Sequence, residues 1–98
     1  ELILGDPVSD WSPESVNSTE VTLLANGQRV EQGHAMNVDS GPFGVLAWLA
    51  NHLNAQGDVL IAGDIVTTGV LTNIYNATPG QQLVADYGSF GALKIEVT

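Results

Sequence analysis

Several short stretches of the chain combine β-branched or alternating apolar residues with nearby turn residues, a pattern that predicts β-strands. Residues 20–25 and 28–34 flank Asn26-Gly27, a dipeptide that favours a tight hairpin because both of its residues tolerate positive φ. We therefore predict a β-hairpin there. The same reasoning predicts further strands at 59–61, 65–70, 82–87 and 92–97.

One stretch has helical periodicity instead. Apolar residues recur at i, i+3, i+4 and i+7 from Leu46 to Leu53, which places them on one face of a helix. Pro42 suits a first helical turn because its missing N–H has no partner there, and Gly57 favours a stop. We predict one long amphipathic helix at about 42–54 that packs its apolar face on a sheet.

Residues 1–19 contain a glycine, two prolines and several Ser and Asp residues, so we predict an extended segment without regular structure. Its largest apolar side chains are predicted to tuck under the core: Leu2, Ile3, Leu4 and Trp11. Together the elements predict one domain over residues 1–98, of the α+β class and β-rich. Its sheet should be mixed or mostly antiparallel, because only one connection is long enough for a helical crossover.

The stretch 62–72, Ala-Gly-Asp-Ile-Val-Thr-Thr-Gly-Val-Leu-Thr, joins a turn, a strand and a cluster of hydroxyls. Its first three residues suit a tight turn, and Ile65 to Thr68 is β-branched throughout, which suits a packed strand. The run breaks at Gly69, where a backbone can bend or approach a ligand closely. This pattern is typical of a wall for a small polar substrate, and equally of an ordinary strand end.

Composition and charge exclude several function classes. The 98 residues suffice for one modest core, and with 44% hydrophobic and 13% charged residues the chain is too apolar for disorder. Two basic residues against eleven acidic ones give a net charge of −9, which argues against nucleic-acid binding. No apolar run is long enough to span a bilayer. The lack of cysteine is compatible with a reducing, cytoplasmic setting, where we expect the protein.

Recognisable catalytic motifs are missing from the sequence. His34 and His52 lack the spacing of a zinc pair, and no serine lies in a Gly-x-Ser-x-Gly context. Phosphate-binding glycine loops are also missing. The catalytic residues are therefore unknown from sequence, and no metal ligand is predicted in this chain.

Residues 41–51, Gly-Pro-Phe-Gly-Val-Leu-Ala-Trp-Leu-Ala-Asn, resemble the proline-to-asparagine segment of the 2-keto-4-pentenoate hydratase group within the fumarylacetoacetate hydrolase superfamily. Further segments agree with that group in order and spacing: Asn26-Gly27 with Gly33, Ala62 to Val66, Pro79-Gly80, and Asp86-Tyr87-Gly88. The resemblance covers essentially the whole chain. It corresponds to the C-terminal portion of a longer enzyme, and it implies the C-terminal-like roll of that superfamily.

The resemblance implies a metal-dependent lyase of aromatic catabolism that acts on small 2-keto or 2-hydroxydienoic acids. The implied reaction is hydration of a 2-hydroxypenta-2,4-dienoate-like substrate. The implied cofactor is Mg²⁺ or Mn²⁺, with its ligands outside this chain, because the group's Glu-x-Glu pair does not occur here. The implied partners are the substrate, the upstream half of the same protein and further copies in a homo-oligomer.

The resemblance also predicts the substrate-binding residues, which are Thr68, Gly69, Val70 and Thr72. Related enzymes commonly carry a hydroxyl residue after the glycine, where this chain has Val70. Decarboxylase relatives place a small apolar residue there, so a 4-oxalocrotonate-type decarboxylase is the first alternative, although Asp86-Tyr87-Gly88 favours dicarboxylate-type hydratases. A non-catalytic oligomerisation or scaffold domain is the second alternative.

Overall fold

The computed structural model describes residues 2–98. Its four strands form one antiparallel sheet in the order β2-β1-β3-β4, and two helices accompany it, which confirms the predicted α+β class. Short 3₁₀ turns follow β2 and β3, at Ala35–Asn37 and Gly88–Phe90. The elements are α1 (Pro13–Asn17), β1 (Glu20–Ala25), β2 (Gln28–His34), α2 (Gly41–Ala55), β3 (Gln82–Asp86) and β4 (Ala92–Glu96).

The predicted hairpin is confirmed. Asn26 and Gly27 both have positive φ, at 50° and 82°, as a two-residue turn of this kind requires. Asn26 also joins the hairpin to the next strand of the sheet: its Oδ1 accepts a hydrogen bond from the N–H of Gln82 at 2.9 Å. Its own N–H donates to the Gln82 carbonyl at 2.8 Å. The turn therefore fixes both the β1–β2 register and the start of β3.

A bulge interrupts the pairing of β1 with β2. Leu23 faces Glu31 while the next residue, Leu24, faces Arg29. Val30 is therefore the extra residue, which bends the strand and shifts its side-chain alternation.

The long helix is confirmed within one residue of the predicted bounds. It ends as the sequence predicts, with Gly57 at a φ of 80° and the N–H of Asp58 donating to the Leu53 carbonyl at 2.9 Å. The predicted packing on the sheet is wrong, because the main neighbours of α2 are α1 and the first 3₁₀ turn. No helix within residues 2–98 is both long and apolar enough to cross a membrane.

The prediction for residues 1–19 is wrong in two respects. Residues 13–17 form α1, because Ser12 and Ser15 exchange side-chain-to-backbone hydrogen bonds in a capping box and Pro13 occupies the first turn. The apolar side chains of the segment are not tucked under the core: Leu2, Ile3, Leu4 and Trp11 are exposed. Trp11 stacks on Phe43 of α2, with 5.7 Å between the ring centroids.

Two predicted strands, 59–61 and 65–70, are also wrong, because both ranges are irregular. A strand exists only through hydrogen bonds to a neighbouring strand, and the described residues offer none to these ranges. The strands predicted at 82–87 and 92–97 are confirmed, each one residue shorter.

The chain is unusually open for its size. Among residues 2–98 the buried hydrophobic side chains are few and small, namely Val21, Ala25 and Ala35. The accessible surface is 7106 Å², against about 5,400 Å² for a compact monomer of this mass. The radius of gyration, 15.1 Å, likewise exceeds the roughly 12.6 Å of a compact chain of this length. Much apolar surface is therefore left for another body to cover.

Candidate functional site

The structure brings all four predicted substrate-binding residues to one cleft of about 530 Å³ on the sheet. One wall is the segment 66–72, which contains them. Strands β1 and β3 contribute Val21, Leu23 and Ala85, and Leu2 and Tyr87 complete the lining. The cleft thus lies between the irregular segment and the middle of the sheet.

Backbone pairing explains how the sheet side of the cleft is assembled. Leu23 and Ala85 are direct partners in the β1–β3 register, so their side chains project from the same face of the sheet. Val21 lies two residues before Leu23 and therefore shares that face. This surface is apolar and suits the carbon chain of a ligand.

Three residues outside the cleft wall hold the 66–72 segment in place. The Nδ2 of Asn37 donates a hydrogen bond to the Leu71 carbonyl at 2.9 Å. Gly33 of β2 lies directly against the same carbonyl, where a Cβ would overlap the oxygen. A Cβ on Gly69 would lie 3.4 Å from Cγ2 of Val38. The wall is therefore anchored through its backbone at Leu71 and is packed beside Val38.

The polar groups of the cleft are hydroxyls. Thr67, Thr68 and Tyr87 line it, and each hydroxyl can donate one hydrogen bond and accept others. Thr72 donates its own hydroxyl proton to the Asn73 carbonyl at 2.9 Å, so this hydroxyl can only accept a hydrogen bond from a ligand. Val70 is 67% exposed, and its side chain cannot form a hydrogen bond.

The described lining contains neither a carboxylate nor an imidazole. Hydroxyls beside an apolar floor can orient a small acid, but they cannot act as a general base near neutral pH without an activating partner. The cleft therefore provides binding rather than complete catalytic machinery.

The acidic residues singled out by the motifs serve local turns. Oδ2 of Asp64 accepts a hydrogen bond from the Ile61 N–H, and Oδ1 of Asp86 accepts one from the Gly88 N–H, both at 2.9 Å. Across residues 2–98, no group of three metal-binding side chains lies close enough together to hold an ion. The residues present therefore do not fit the implied divalent metal.

Neither histidine lines the cleft. Nδ1 of His34 accepts a hydrogen bond from the Met36 N–H at 3.0 Å and so caps the first 3₁₀ turn. His52 lies on the exposed side of α2, where its ring stacks on Trp48 with 4.9 Å between centroids. Both imidazoles are therefore engaged in local contacts outside the cleft.

Sequence reasoning missed the residues that the sheet adds to the cleft, namely Val21, Leu23 and Ala85, as well as Tyr87. Alternation within β1 and β3 could have identified each inward face. The sequence does not show which strands pair, because β1 and β3 are far apart along the chain. The Asn26–Gln82 hydrogen bond, for example, spans 56 residues.

Known proteins support the resemblance, although no protein-family model matches the chain. The chain is 28% identical to 4-oxalocrotonate decarboxylase of Pseudomonas putida over 93% of this chain and 34% of that protein. It is 26% identical to 2-hydroxyhexa-2,4-dienoate hydratase of Comamonas testosteroni over 99% of this chain and 37% of that protein. A solved 4-oxalocrotonate decarboxylase from Pseudomonas putida G7, complexed with magnesium and adipate, superimposes with a TM-score of 0.77 and 27% identity, covering 86% of this chain and 32% of that one.

The chain is similar to these lyases in both sequence and fold. This confirms the resemblance seen in the sequence, with the chain matching a partial, C-terminal piece of such enzymes. It spans about a third of the length of these relatives. Decarboxylases and hydratases both match, so similarity alone does not choose between the two reactions.

Proposed function

We propose that the chain is the C-terminal, substrate-wall portion of a metal-dependent lyase that acts on small 2-keto or 2-hydroxydienoic acids, with hydration as its reaction. The observation that carries the proposal is the cleft, which gathers Thr68, Gly69, Val70 and Thr72 over an apolar sheet face. Its shape and chemistry suit a short carbon chain with polar ends. The similarity to hydratases and decarboxylases of this substrate class supports it.

In this proposal the residues of the chain bind and orient the substrate. The Thr68 hydroxyl donates a hydrogen bond to a substrate oxygen, and Gly69 lets the backbone approach closely, with its φ of 118°. Val70 and Leu23 contact the carbon chain and exclude water from it. These contacts position the substrate for chemistry performed by other groups.

The other groups lie outside these 98 residues. The metal is Mg²⁺ or Mn²⁺, and its ligands belong to the upstream part of the same protein, because the carboxylates described here do not form a site. A related solved structure holds magnesium. We also expect a homo-oligomer in the cytoplasm, which size-exclusion chromatography coupled to light scattering and cell fractionation would test.

The test uses the full-length protein with Mg²⁺ and a series of 2-hydroxydienoates, followed by loss of dienoate absorbance. We expect turnover that stops on chelation. Thr68→Val, which keeps the shape and removes the hydroxyl, should raise KM, while the exposed Thr78→Val outside the cleft should leave it unchanged. Turnover of neither dienoates nor 4-oxalocrotonate would reject the lyase and favour a non-catalytic scaffold.

A 4-oxalocrotonate-type decarboxylase is the second candidate, and Val70 favours it. An apolar side chain at this position cannot donate a hydrogen bond, whereas the hydratases of the group commonly have a hydroxyl there. Release of CO₂ from 4-oxalocrotonate without dienoate hydration would select this reaction. Val70→Ser should then lower decarboxylation, whereas in a hydratase it should leave hydration intact or raise it.

A further inference from the structure

We propose that residues 59–74 form a docking edge, and that its strand-like part, residues 65–72, pairs with a β-strand from the part of the protein outside these 98 residues. The inference rests on the proposed function in one respect, that the chain is a portion of a longer protein. The inference adds which surface of the chain contacts the rest of the protein, and that this contact is pairing between β-strands.

The docking edge has the composition of a strand but lacks a partner. Ile65 to Thr68 is β-branched throughout, which favours a pleated, paired conformation. Yet within residues 2–98 no backbone N–H from 65 to 74 donates a hydrogen bond, and the two carbonyls there that accept one, those of Leu71 and Asn73, accept it from the side chains of Asn37 and Thr72. Such a row of free donors and acceptors is a template for an added strand.

Burial alternates over residues 65–69 of the docking edge, as it does in a strand that has one face covered. Val66 and Thr68 are half-buried, while Ile65, Thr67 and Gly69 are exposed. The docking edge also exposes large aliphatic residues. Five along the edge are more than 60% exposed, namely Val59, Ile61, Ile65, Val70 and Ile74.

The docking edge also lacks the features that protect natural free edges. Exposed edge strands usually carry lysines, prolines or inward-pointing charges that prevent pairing with other chains. Here the single charged residue is Asp64, and its carboxylate is engaged in its own turn with Ile61. An unprotected apolar edge is expected where another part of the protein covers it.

The size of the uncovered surface fits an intramolecular interface. The chain exposes 7106 Å², roughly 1,700 Å² more than a compact monomer of its mass. One partner of a stable interface contributes roughly 800 Å², so the excess accommodates a large covering body. The relatives are about three times as long as this chain, and their additional length is a sufficient source for that body.

Hydrogen–deuterium exchange of the full-length protein tests the pairing without substrate or metal, so its outcome is independent of the enzymatic assay. We expect amides within residues 64–72 to exchange at least about tenfold more slowly than in an unstructured peptide. Exchange at the unstructured rate would overturn the proposal. Protection that appears only at high protein concentration would assign the edge to a second copy and would also overturn it.

Proline substitution provides the matched test, since proline removes one N–H and cannot donate to a ladder. Successive residues point their N–H groups to opposite sides, so one of Val66→Pro and Thr67→Pro must remove a pairing donor. We expect that variant to lower Tm by several degrees and to lose protection at 64–72.

Ala62→Pro is the control. Ala62 precedes Gly63, which has a φ of 94°, in a turn closed by the Asp64 N–H donating to the Ile61 carbonyl at 3.1 Å. Proline is favoured at that turn position, so this variant should keep the parental Tm. Equal tolerance of all three prolines would contradict the pairing. A proline variant that fails to fold leaves exchange of the parental protein as the deciding measurement.

Discussion

The β1–β2 hairpin and the docking edge at 59–74 have similar strand-forming sequences and different structures. In the hairpin, six residue pairs hold Glu20–Ala25 against Gln28–His34, and Val21 and Ala25 are each 5% exposed. In the docking edge, Ile65 and Val70 are 62% and 67% exposed, and no backbone N–H from 65 to 74 donates a hydrogen bond within residues 2–98. The comparison shows that strand-forming composition becomes a strand only where a second strand is within reach.

The two segments differ because of the length of chain between each of them and a possible partner strand. Asn26-Gly27 brings the second strand of the hairpin back at once, so its closure costs little entropy. Within the described residues, no tight turn brings a partner strand back to the docking edge. Residues 66–72 of the edge line the cleft instead. Pairing of the docking edge therefore requires a strand from outside these 98 residues.

Gly33→Val should have the largest effect, because Gly33 is where the two regions touch. A side chain there would overlap the Leu71 carbonyl, and the β2 backbone is held by its ladder with Val21. We expect a loss of about 3 kcal/mol in the free energy of unfolding, the upper end of overpacking effects, measured by urea denaturation. Gln32→Ala, an exposed neighbour, is the control. A loss equal to that of the control would show that the two regions do not touch in solution.

Asn26→Ala should have an intermediate effect, at the hairpin turn and its junction with β3. It places alanine at a φ of 50° and removes the hydrogen bond from the Gln82 N–H, which together cost about 2 kcal/mol. Asn26→Gly relieves the backbone cost alone and should recover part of the loss in the same denaturation experiment. If both variants lose the same stability, the positive φ is not a source of the effect.

Asn37→Ala should have the smallest effect on stability and a local effect on the cleft wall. It removes the hydrogen bond to the Leu71 carbonyl, worth about 0.5–1.5 kcal/mol. Asn37→Asp should cost more, because a carboxylate would then face a carbonyl oxygen. Exchange rates of amides in 66–72 should rise in both variants, in the order Asp above Ala. Unchanged exchange would mean that Asn37 does not anchor the wall.

Local signals predicted the elements that close within a few residues. Asn26-Gly27 identified the hairpin, and the i, i+3, i+4, i+7 pattern with Gly57 identified α2 within one residue of its bounds. The candidate residues Thr68, Gly69, Val70 and Thr72 do line one cleft. The sequence does not predict α1, because Ser12 and Pro13 are as typical of irregular chain as of a helix cap and a first helical turn.

Features that depend on distant segments were not predictable. The β1–β3 pairing joins segments on either side of α2 and supplies Leu23 and Ala85 to the cleft. The contact of Gly33 with Leu71 likewise depends on how an irregular segment crosses a strand. Apolar periodicity predicts that one face of an element will be buried, but it does not predict which other element will bury it.

The sequence by itself determined the turn at Asn26, the helix and the β-forming character of Ile65 to Thr68, because each follows from the conformational preferences of neighbouring residues. The tertiary structure decided which of the β-forming segments became strands. A backbone ladder needs a partner at hydrogen-bonding distance, and only the arrangement of the whole chain supplies one to β1 through β4 while leaving residues 59–74 open.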